Sequence, residues 1–522
     1  MSSKTKKQNK KQNKKQKHNP SRTICKSSSN LLEILTKSNK NPFLYKKYES
    51  YIKDIALTFA KSQNTLLTEL FNIKNKHNFN VTINKQTLDK YTEIPPFIDI
   101  FRYLIHSTDF INHFTLNEQK ILKTDLNLNN SYEKCYELLD KSKLGNKILK
   151  FYSKINYIIK KEIAAKYPST EFHNLLINSF TSFEIIKDLN LRIKKLVIFN
   201  LEWNGKKIDN VLYIFMYNDD KLYENDNKLQ TIGNEIAKRI LFFNNYLNID
   251  KIPNKFIIFL TDKLKKIDEN VISHIHFNTI NVNSAVTNTI DIIIYRKEEL
   301  LKSIFHELIH FHNLDFRIIP SEIITYLIKT HNIKSDNEYM LYESVTEVLA
   351  NILNNIFLSR DIKEFTINLQ SEILFSTLQI AKILNICKFK YWDEFAKIDS
   401  NTSITSSASS FSSFSSSNNS NPQKHFKQES CVMSYYILKF YILINLDTYF
   451  KKCLDTKLQF IQKSENFNNL INIFDSSRKN INIRNIMDNL LLTLNTNKNS
   501  IDKKINKTLR MTCLESDFFS IF

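Results

Sequence analysis

Residues 303–316 read SIFHELIHFHNLDF, and this stretch predicts the centre of the fold. His306 and His310 are four residues apart, so on a helix both imidazoles lie on the same face. Glu307 directly follows the first histidine. Burying these three polar side chains costs free energy unless a partner satisfies them. Apolar residues surround them and predict that the helix is buried; these are Leu300, Leu301, Ile304, Phe305, Leu308, Ile309 and Phe311.

The HExxH spacing is typical of zinc sites. A catalytic zinc ion takes three protein ligands and leaves the fourth position to water, whose pKa falls to about 7. Glu307 could accept a proton from that water as a general base and deliver it to a leaving amine. The sequence therefore predicts one Zn2+ per chain, with His306 and His310 as ligands and Glu307 as the catalytic residue. A surface helix with two solvent-facing histidines is the alternative, and the apolar flanks disfavour it.

The third ligand must come from another part of the chain. His312 lies two residues beyond His310, which on a helix turns it about 160° away. The longer pattern HExxHxxGxxH also fails, because Asn313 occupies its glycine position and Phe316 its last ligand position. Asp315 lies one residue before that last position and is a candidate hydrogen-bond acceptor for a ligand histidine.

The downstream stretch YESVTEVLANIL (342–353) carries two glutamates on one helical face. We expect Glu343 to complete the zinc ligands and Glu347 to hydrogen-bond a ligand histidine, which fixes its tautomer. The two roles could be exchanged. Two solvated glutamates on a helix face are the remaining alternative.

Periodicity predicts a helix-rich α+β fold in which a small sheet supports the HExxH helix and the following glutamate helix. Residues 193–217 contain two apolar strands around Asn204–Gly205, a strong hairpin signal. A helix follows at 229–248, then strands at 255–262 and 289–295. The expected organisation is a disordered basic tail (1–28), a helical N-terminal region (29–190), an α+β domain that carries the HExxH motif (191–398), a serine-rich loop (399–425) and a helical part packed on that domain (426–522).

Charge and composition limit the classes of function. The chain has 522 residues and a net charge of +21, and ten lysines and arginines lie within residues 1–26 without an acidic residue. Such a tail could bind nucleic acid non-specifically, or could be merely solvated. The three glycines are isolated, which excludes glycine-rich phosphate loops. Without a signal peptide or membrane span, we expect an intracellular protein, not secreted, that does not bind membranes.

The stretches RKEELLKSIFHELIHFHNLDF (296–316) and YESVTEVLANILN (342–354) resemble a family of zinc metallopeptidases encoded by giant, nucleocytoplasmic large DNA viruses. QESCVMSYYILK (428–439) is similar to a later block of that family. The chain departs from the family at Asn313, where glycine is usual. The resemblance implies a gluzincin-like zincin fold, a protein or peptide substrate, and a location in the host cytoplasm or the virion.

Two further expectations concern the substrate. In zincins an edge strand before the catalytic helix pairs with the substrate backbone, and residues 278–287 are placed for that role. A side chain that stabilises the oxyanion is also needed. Tyr435 or Tyr436 is the candidate, with core packing as the alternative for both.

Three functional hypotheses follow. The first is a zinc-dependent endopeptidase that hydrolyses peptide bonds with Glu307 as general base. The second is a catalytically silent virion protein that keeps a zincin scaffold for structure or interaction. The third is a nucleic-acid-associated protein that acts through its basic tail.

Overall fold

The computed structural model describes most of the chain outside the serine-rich segment. The predicted loop at 399–425 and most of the predicted tail lie outside the described residues. Three residues of that tail are described, and they form a strand. The described residues are 22–24, 42–76, 78–88, 97–104, 111–125, 130–154, 181–267, 277, 279–288, 290–316, 318–333, 339–398, 426, 428, 430–496 and 507–516.

The fold is α+β. The described strands are β1 (Arg22–Ile24), β2 (Phe79–Thr87), β3 (Ile193–Trp203), β4 (Lys206–Tyr217), β5 (Phe256–Phe259), β6 (Ala285–Thr287), β7 (Ile292–Ile294) and β8 (Leu514–Ser516). Six of them form a mixed sheet in the order β2-β3-β4-β5-β7-β6. The pairs β4–β5 and β5–β7 are parallel, whereas β6 runs antiparallel to β7 at the edge of the sheet.

Helices surround this sheet. The described helices are α1 (Pro42–Ser62), α2 (Asn64–Asn75), α3 (Phe97–Leu104), α4 (Leu116–Asp125), α5 (Tyr132–Lys141), α6 (Leu144–Lys154), α7 (Phe183–Leu191), α8 (Asp226–Leu247), α9 (Thr279–Val282), α10 (Leu300–Phe311), α11 (Ser321–Thr330), α12 (Tyr342–Leu358), α13 (Ile362–Ile386), α14 (Trp392–Ala396), a π-helical turn (Met433–Leu438) that continues into α15 (Lys439–Leu443), α16 (Leu446–Cys453), α17 (Ser464–Arg478) and α18 (Ile481–Thr496).

The predicted hairpin is confirmed. β3 and β4 pair antiparallel, and their turn is Asn204–Gly205. Asn204 has a φ of 51° and Gly205 a φ of 75°. A two-residue hairpin turn of this twist needs positive φ at both central positions, which asparagine and glycine tolerate best.

The sheet is buried on both faces, and its side chains alternate between two cores. Val197, Ile214 and Ile258 face the core that contains α8, α10 and α12. Ile198, Phe215, Ile257 and Ile293 face a second core built from α3 to α7. Burial of both faces explains why β5 (FIIF) and β7 (III) are continuously apolar.

The N-terminal region differs from the expected separate helical unit. Its residues 79–87 form β2, which pairs with β3 over nine residues. α1 and α2 contribute to the same core as α10 and α12. Phe79, Val81 and Ile83 alternate with polar residues in β2, which is the pattern of a half-buried strand, so the expectation of an all-helical region was wrong here.

The C-terminal part lies against the helices that carry the HExxH and glutamate motifs. The π-helical turn and α15 pack on α12. Residues 507–516 run past α10, α12 and α13, and β8 within them pairs antiparallel with β1. Among the described residues, no helix combines the length and the apolar character that crossing a membrane requires.

Candidate metal centre

α10 carries the HExxH motif through the interior of the protein. The helix follows β7 after a short connection, and Glu299 precedes it with a φ of 58°. His306 and Glu307 are buried, and His310 is partly buried near the C-terminal end of the helix. The apolar flanks that predicted burial belong to the core between the sheet and α12.

Three ligand atoms from two helices converge beside α10. Nε2 of His306 lies 3.1 Å from Nε2 of His310. Oε2 of Glu343 lies 3.1 Å from Nε2 of His306 and 3.4 Å from Nε2 of His310. Glu343 lies in the first turn of α12, which packs directly on α10. The predicted ligand set is therefore brought together in space.

These distances fit a tetrahedral metal site. With zinc bonds of about 2.0–2.1 Å, two ligand atoms of a tetrahedron lie about 3.3 Å apart. Oε2 of Glu343 is buried, and among the described residues no donor other than the two imidazoles reaches it. Two imidazole nitrogens and one carboxylate oxygen are also a donor set that zinc prefers. The residues present therefore fit Zn2+.

Each imidazole has a buried carboxylate beside its second nitrogen, and at His310 this contact is a hydrogen bond. At His306 the carboxylate is equally close, but the angle is poor for a hydrogen bond. Nδ1 of His306 lies 2.9 Å from Oε1 of Glu347, and Nδ1 of His310 lies 2.7 Å from Oδ2 of Asp315. Both carboxylates are buried. A proton on each Nδ1 leaves each Nε2 lone pair directed at the common centre.

Asn313 is the reason that Asp315 reaches His310. It ends α10 in the left-handed region with a φ of 54°, and the backbone N–H of Leu314 donates to the carbonyl of Ile309. Asparagine is one of the few residues other than glycine that adopt this conformation readily. The departure from glycine at this position therefore preserves the turn.

The buried histidines and carboxylates at the centre shift one another's pKa values toward their charged forms. Burial alone would lower the pKa of His310, but the carboxylates of Glu343 and Asp315 raise it well above its usual value. Burial opposes ionisation of Glu343, yet the imidazoles of His310 and His306 lower its pKa to about 2. Without a metal, protons on the histidines therefore supply the positive charge that the carboxylates require.

Glu307 lies beside the three ligand atoms without joining them. Its Oε1 is 4.0 Å from Nε2 of His306. Burial raises the pKa of Glu307, and the nearby histidines lower it less. A carboxylate with a raised pKa, next to a metal site, is suited to accept a proton.

The centre opens into a small cavity of about 30 Å³. This is room for little more than a water molecule. Asn283, Ser284 and Ala285 line it on the β6 side, and Glu307 lines it from α10.

The two candidate tyrosines differ in where they point. Tyr435 lines the cavity, and its ring centroid is 6.1 Å from that of His306. Burial, together with the charges of Glu343 and Glu347, raises the pKa of Tyr435 well above its usual value, so its hydroxyl keeps its proton. Tyr436 does not line the cavity, and its hydroxyl donates to the carbonyl of Leu509, which favours Tyr435 as the oxyanion candidate.

His312 lies apart from the three ligands, as expected. Its ring packs 5.2 Å from Phe243, and burial, then the charge of Lys251, lowers its pKa to about 4.

Sequence reasoning missed Lys302. Its Nζ lies 2.6 Å from Oε1 of Glu347, and the side chain is 2% exposed. The available signal was its position: a lysine in a largely apolar helix, one turn before His306 and on the face that carries both histidines.

Comparison with protein-family models, curated proteins and solved structures found no match to this chain. The viral family resemblance therefore stays a prediction.

Proposed function

We propose that this chain is a zinc-dependent peptidase whose metal is held by His306, His310 and Glu343. The observation that carries the proposal is the convergence of their three ligand atoms, 3.1 to 3.4 Å apart, next to Glu307. A scaffold protein would need neither the convergent ligands nor a buried carboxylate beside them. Bound Zn2+ would supply Lewis-acid activation of water and of the scissile carbonyl.

The residues of the chain have distinct tasks in this proposal. Glu307 accepts a proton from the attacking water as the water oxygen bonds to the carbonyl carbon. It then delivers the proton to the amine nitrogen as the carbon–nitrogen bond breaks. The hydroxyl of Tyr435, which keeps its proton, can donate a hydrogen bond to the carbonyl oxygen of the scissile bond as that oxygen becomes negative.

The position of β6 supports a peptide substrate. β6 ends the sheet, so in the described part of the chain its outer edge is not paired with another strand. Ala285 of this strand lines the cavity that holds Glu307. An extended peptide could pair with this edge and bring its backbone to the metal centre. A mixed sheet, an antiparallel edge strand and two helices bearing the ligands agree with a zincin-like fold of gluzincin type.

The proposal is tested by comparing wild type with Glu307→Gln as full-length proteins. Zinc content is measured by mass spectrometry, and hydrolysis is measured on a broad peptide library. We expect one zinc per chain in both proteins and a rate at least about 10²-fold lower in the variant. Glu202→Gln, an exposed position on β3, is the matched control and should keep the wild-type rate.

Two results would contradict the proposal. One is a wild-type protein that binds no zinc, and the other is equal hydrolysis by Glu307→Gln. A wild-type protein that binds zinc yet cleaves no peptide of the library would favour the silent scaffold instead.

A further inference from the structure

Lys302 is a buried cation joined to the metal centre through one carboxylate. It lies on α10 four residues before His306, so both side chains lie on the same helical face. Its Nζ lies 2.6 Å from Oε1 and 2.8 Å from Oε2 of Glu347. The third contact of the ammonium is Sδ of Met511, at 3.7 Å.

Glu347 connects this lysine to a ligand. Its Oε1, the atom closer to Lys302, is also 2.9 Å from Nδ1 of His306. That oxygen is therefore the charged group that contacts Nδ1 of His306, and its position favours a ring orientation with the Nδ1 proton on the Glu347 side. Since the ring is rigid, the same contact directs Nε2 toward His310 and Glu343.

A second buried ion pair lies next to this ammonium. Lys265 lies close by and pairs with Glu299 at 2.6 Å, and its Nζ is 3.4 Å from Sδ of Met511. Glu299 accepts hydrogen bonds from the backbone N–H groups of Met511 and Thr512, each at 2.7 Å. Residues 507–516 therefore close the space around Lys302 and leave Glu347 as its partner for two hydrogen bonds.

We propose that Lys302 is a positioning residue for the metal: by holding both oxygens of Glu347, it orients the imidazole of His306 toward the other two ligand atoms. The inference rests on the metal site of the proposed function. It goes further because it assigns a role to a residue that touches no ligand of the metal. A lysine that only balances the charge of Glu347 would have no such effect on His306.

The first test compares zinc affinity in wild type and Lys302→Met by competition with a chelator. We expect the variant to bind zinc about 10–100-fold more weakly, the usual cost of losing an outer hydrogen-bonding partner. Lys382→Met is the matched control. Lys382 is also a buried lysine, but its Nζ donates to the carbonyl of Thr508, and its loss should leave zinc affinity unchanged within about twofold.

The second test is a double-mutant cycle with Glu347→Gln. If Lys302 acts through Glu347, adding Lys302→Met to Glu347→Gln should cost no further zinc affinity. A purely structural lysine would lower affinity by the same factor in both backgrounds. Cobalt substitution adds a spectroscopic measurement, because the visible absorption of Co2+ reports the geometry of its ligands.

Lys302→Gln replaces Lys302→Met if the latter does not fold, since the shorter amide keeps a polar group in the site but cannot hold both oxygens of Glu347. Wild-type zinc affinity in a folded Lys302 variant, or additive losses in the cycle, would overturn the inference. Failure of the peptidase assignment alone has a different signature, namely a wild-type protein that binds zinc but hydrolyses no peptide, whereas a wild-type protein that binds no zinc would overturn both proposals. The lysine test is still valid in the first case because it measures affinity.

Discussion

Oε2 of Glu343 lies 3.1 Å from Nε2 of His306, although the two residues belong to different helices. Glu347, one turn further along the same helix as Glu343, instead contacts the opposite nitrogen of that imidazole. The two glutamates therefore divide the two nitrogens of His306 between them. The sequence left open which glutamate has which role, and the geometry favours Glu343 as the ligand.

This division predicts different effects of the two glutamates on zinc affinity. Glu347→Ala should weaken binding about 10–100-fold, as expected for an outer hydrogen-bonding partner. Glu343→Ala should weaken it further, because a ligand atom is lost. Chelator competition measures both constants on the same protein preparation. A larger loss in Glu347→Ala would mean that the roles are exchanged.

Tyr435 and Tyr436 form a natural pair for testing the oxyanion role. Tyr435→Phe should lower kcat by about 10²-fold and leave zinc affinity and KM unchanged, because the hydroxyl would act only on the developing charge. Tyr436→Phe loses its hydrogen bond to the carbonyl of Leu509 and should lower the free energy of unfolding by about 1 kcal/mol. It should not change kcat. Steady-state kinetics and chemical denaturation separate the two effects.

The stabilisation by zinc should depend on pH in a defined direction. In the metal-free protein, the carboxylates overcome burial and raise the pKa of His306 and His310 above the usual 6.5. The stabilisation from these protonated histidines is complete below pH 6.5 and is lost as the pH rises through the raised values. Zinc competes with the same protons. The increase in Tm on adding zinc should therefore grow as the pH rises from about 6 to 8.

The difference between zinc-loaded and metal-free Tm is the proper measurement. His312 has a pKa lowered to about 4 and His331 one lowered to about 3, in both cases first by burial. Both therefore destabilise the fold as the pH falls below 6.5, with or without zinc, and they cancel in the difference. A Tm difference that stays constant over this range would contradict the prediction.

The positive φ at Asn313 predicts which substitutions that position tolerates. Asn313→Gly should leave the free energy of unfolding unchanged or slightly increased, because glycine adopts a φ of 54° without strain. Asn313→Ala should lower it by about 1 kcal/mol, because a Cβ disfavours this backbone region. Asn248 ends α8 with a φ of 52° and provides an independent repeat of the comparison. Equal stability of the alanine and glycine variants at both positions would contradict the explanation.

Much of the local structure could be predicted from short-range patterns. The hairpin followed from Asn204–Gly205 between apolar strands, and α10 followed from HExxH within an apolar run. Both signals depend on residues that are close in the chain, where the periodicities of helices and strands act directly. β2 was missed although Phe79, Val81 and Ile83 alternate with polar residues. The strand lies between segments with helical periodicity and pairs with β3 more than a hundred residues away.

The sequence by itself determined that His306, Glu307 and His310 share one turn of a buried helix, because helical spacing alone puts them there. It also determined that Glu343 and Glu347 face one way. Only the tertiary structure decided that this pair meets the histidines, that Tyr435 rather than Tyr436 faces the cavity, and that Lys302 holds Glu347. These contacts join segments far apart in the chain. They depend on how α10, α12 and residues 507–516 pack together, which no local pattern of residues specifies.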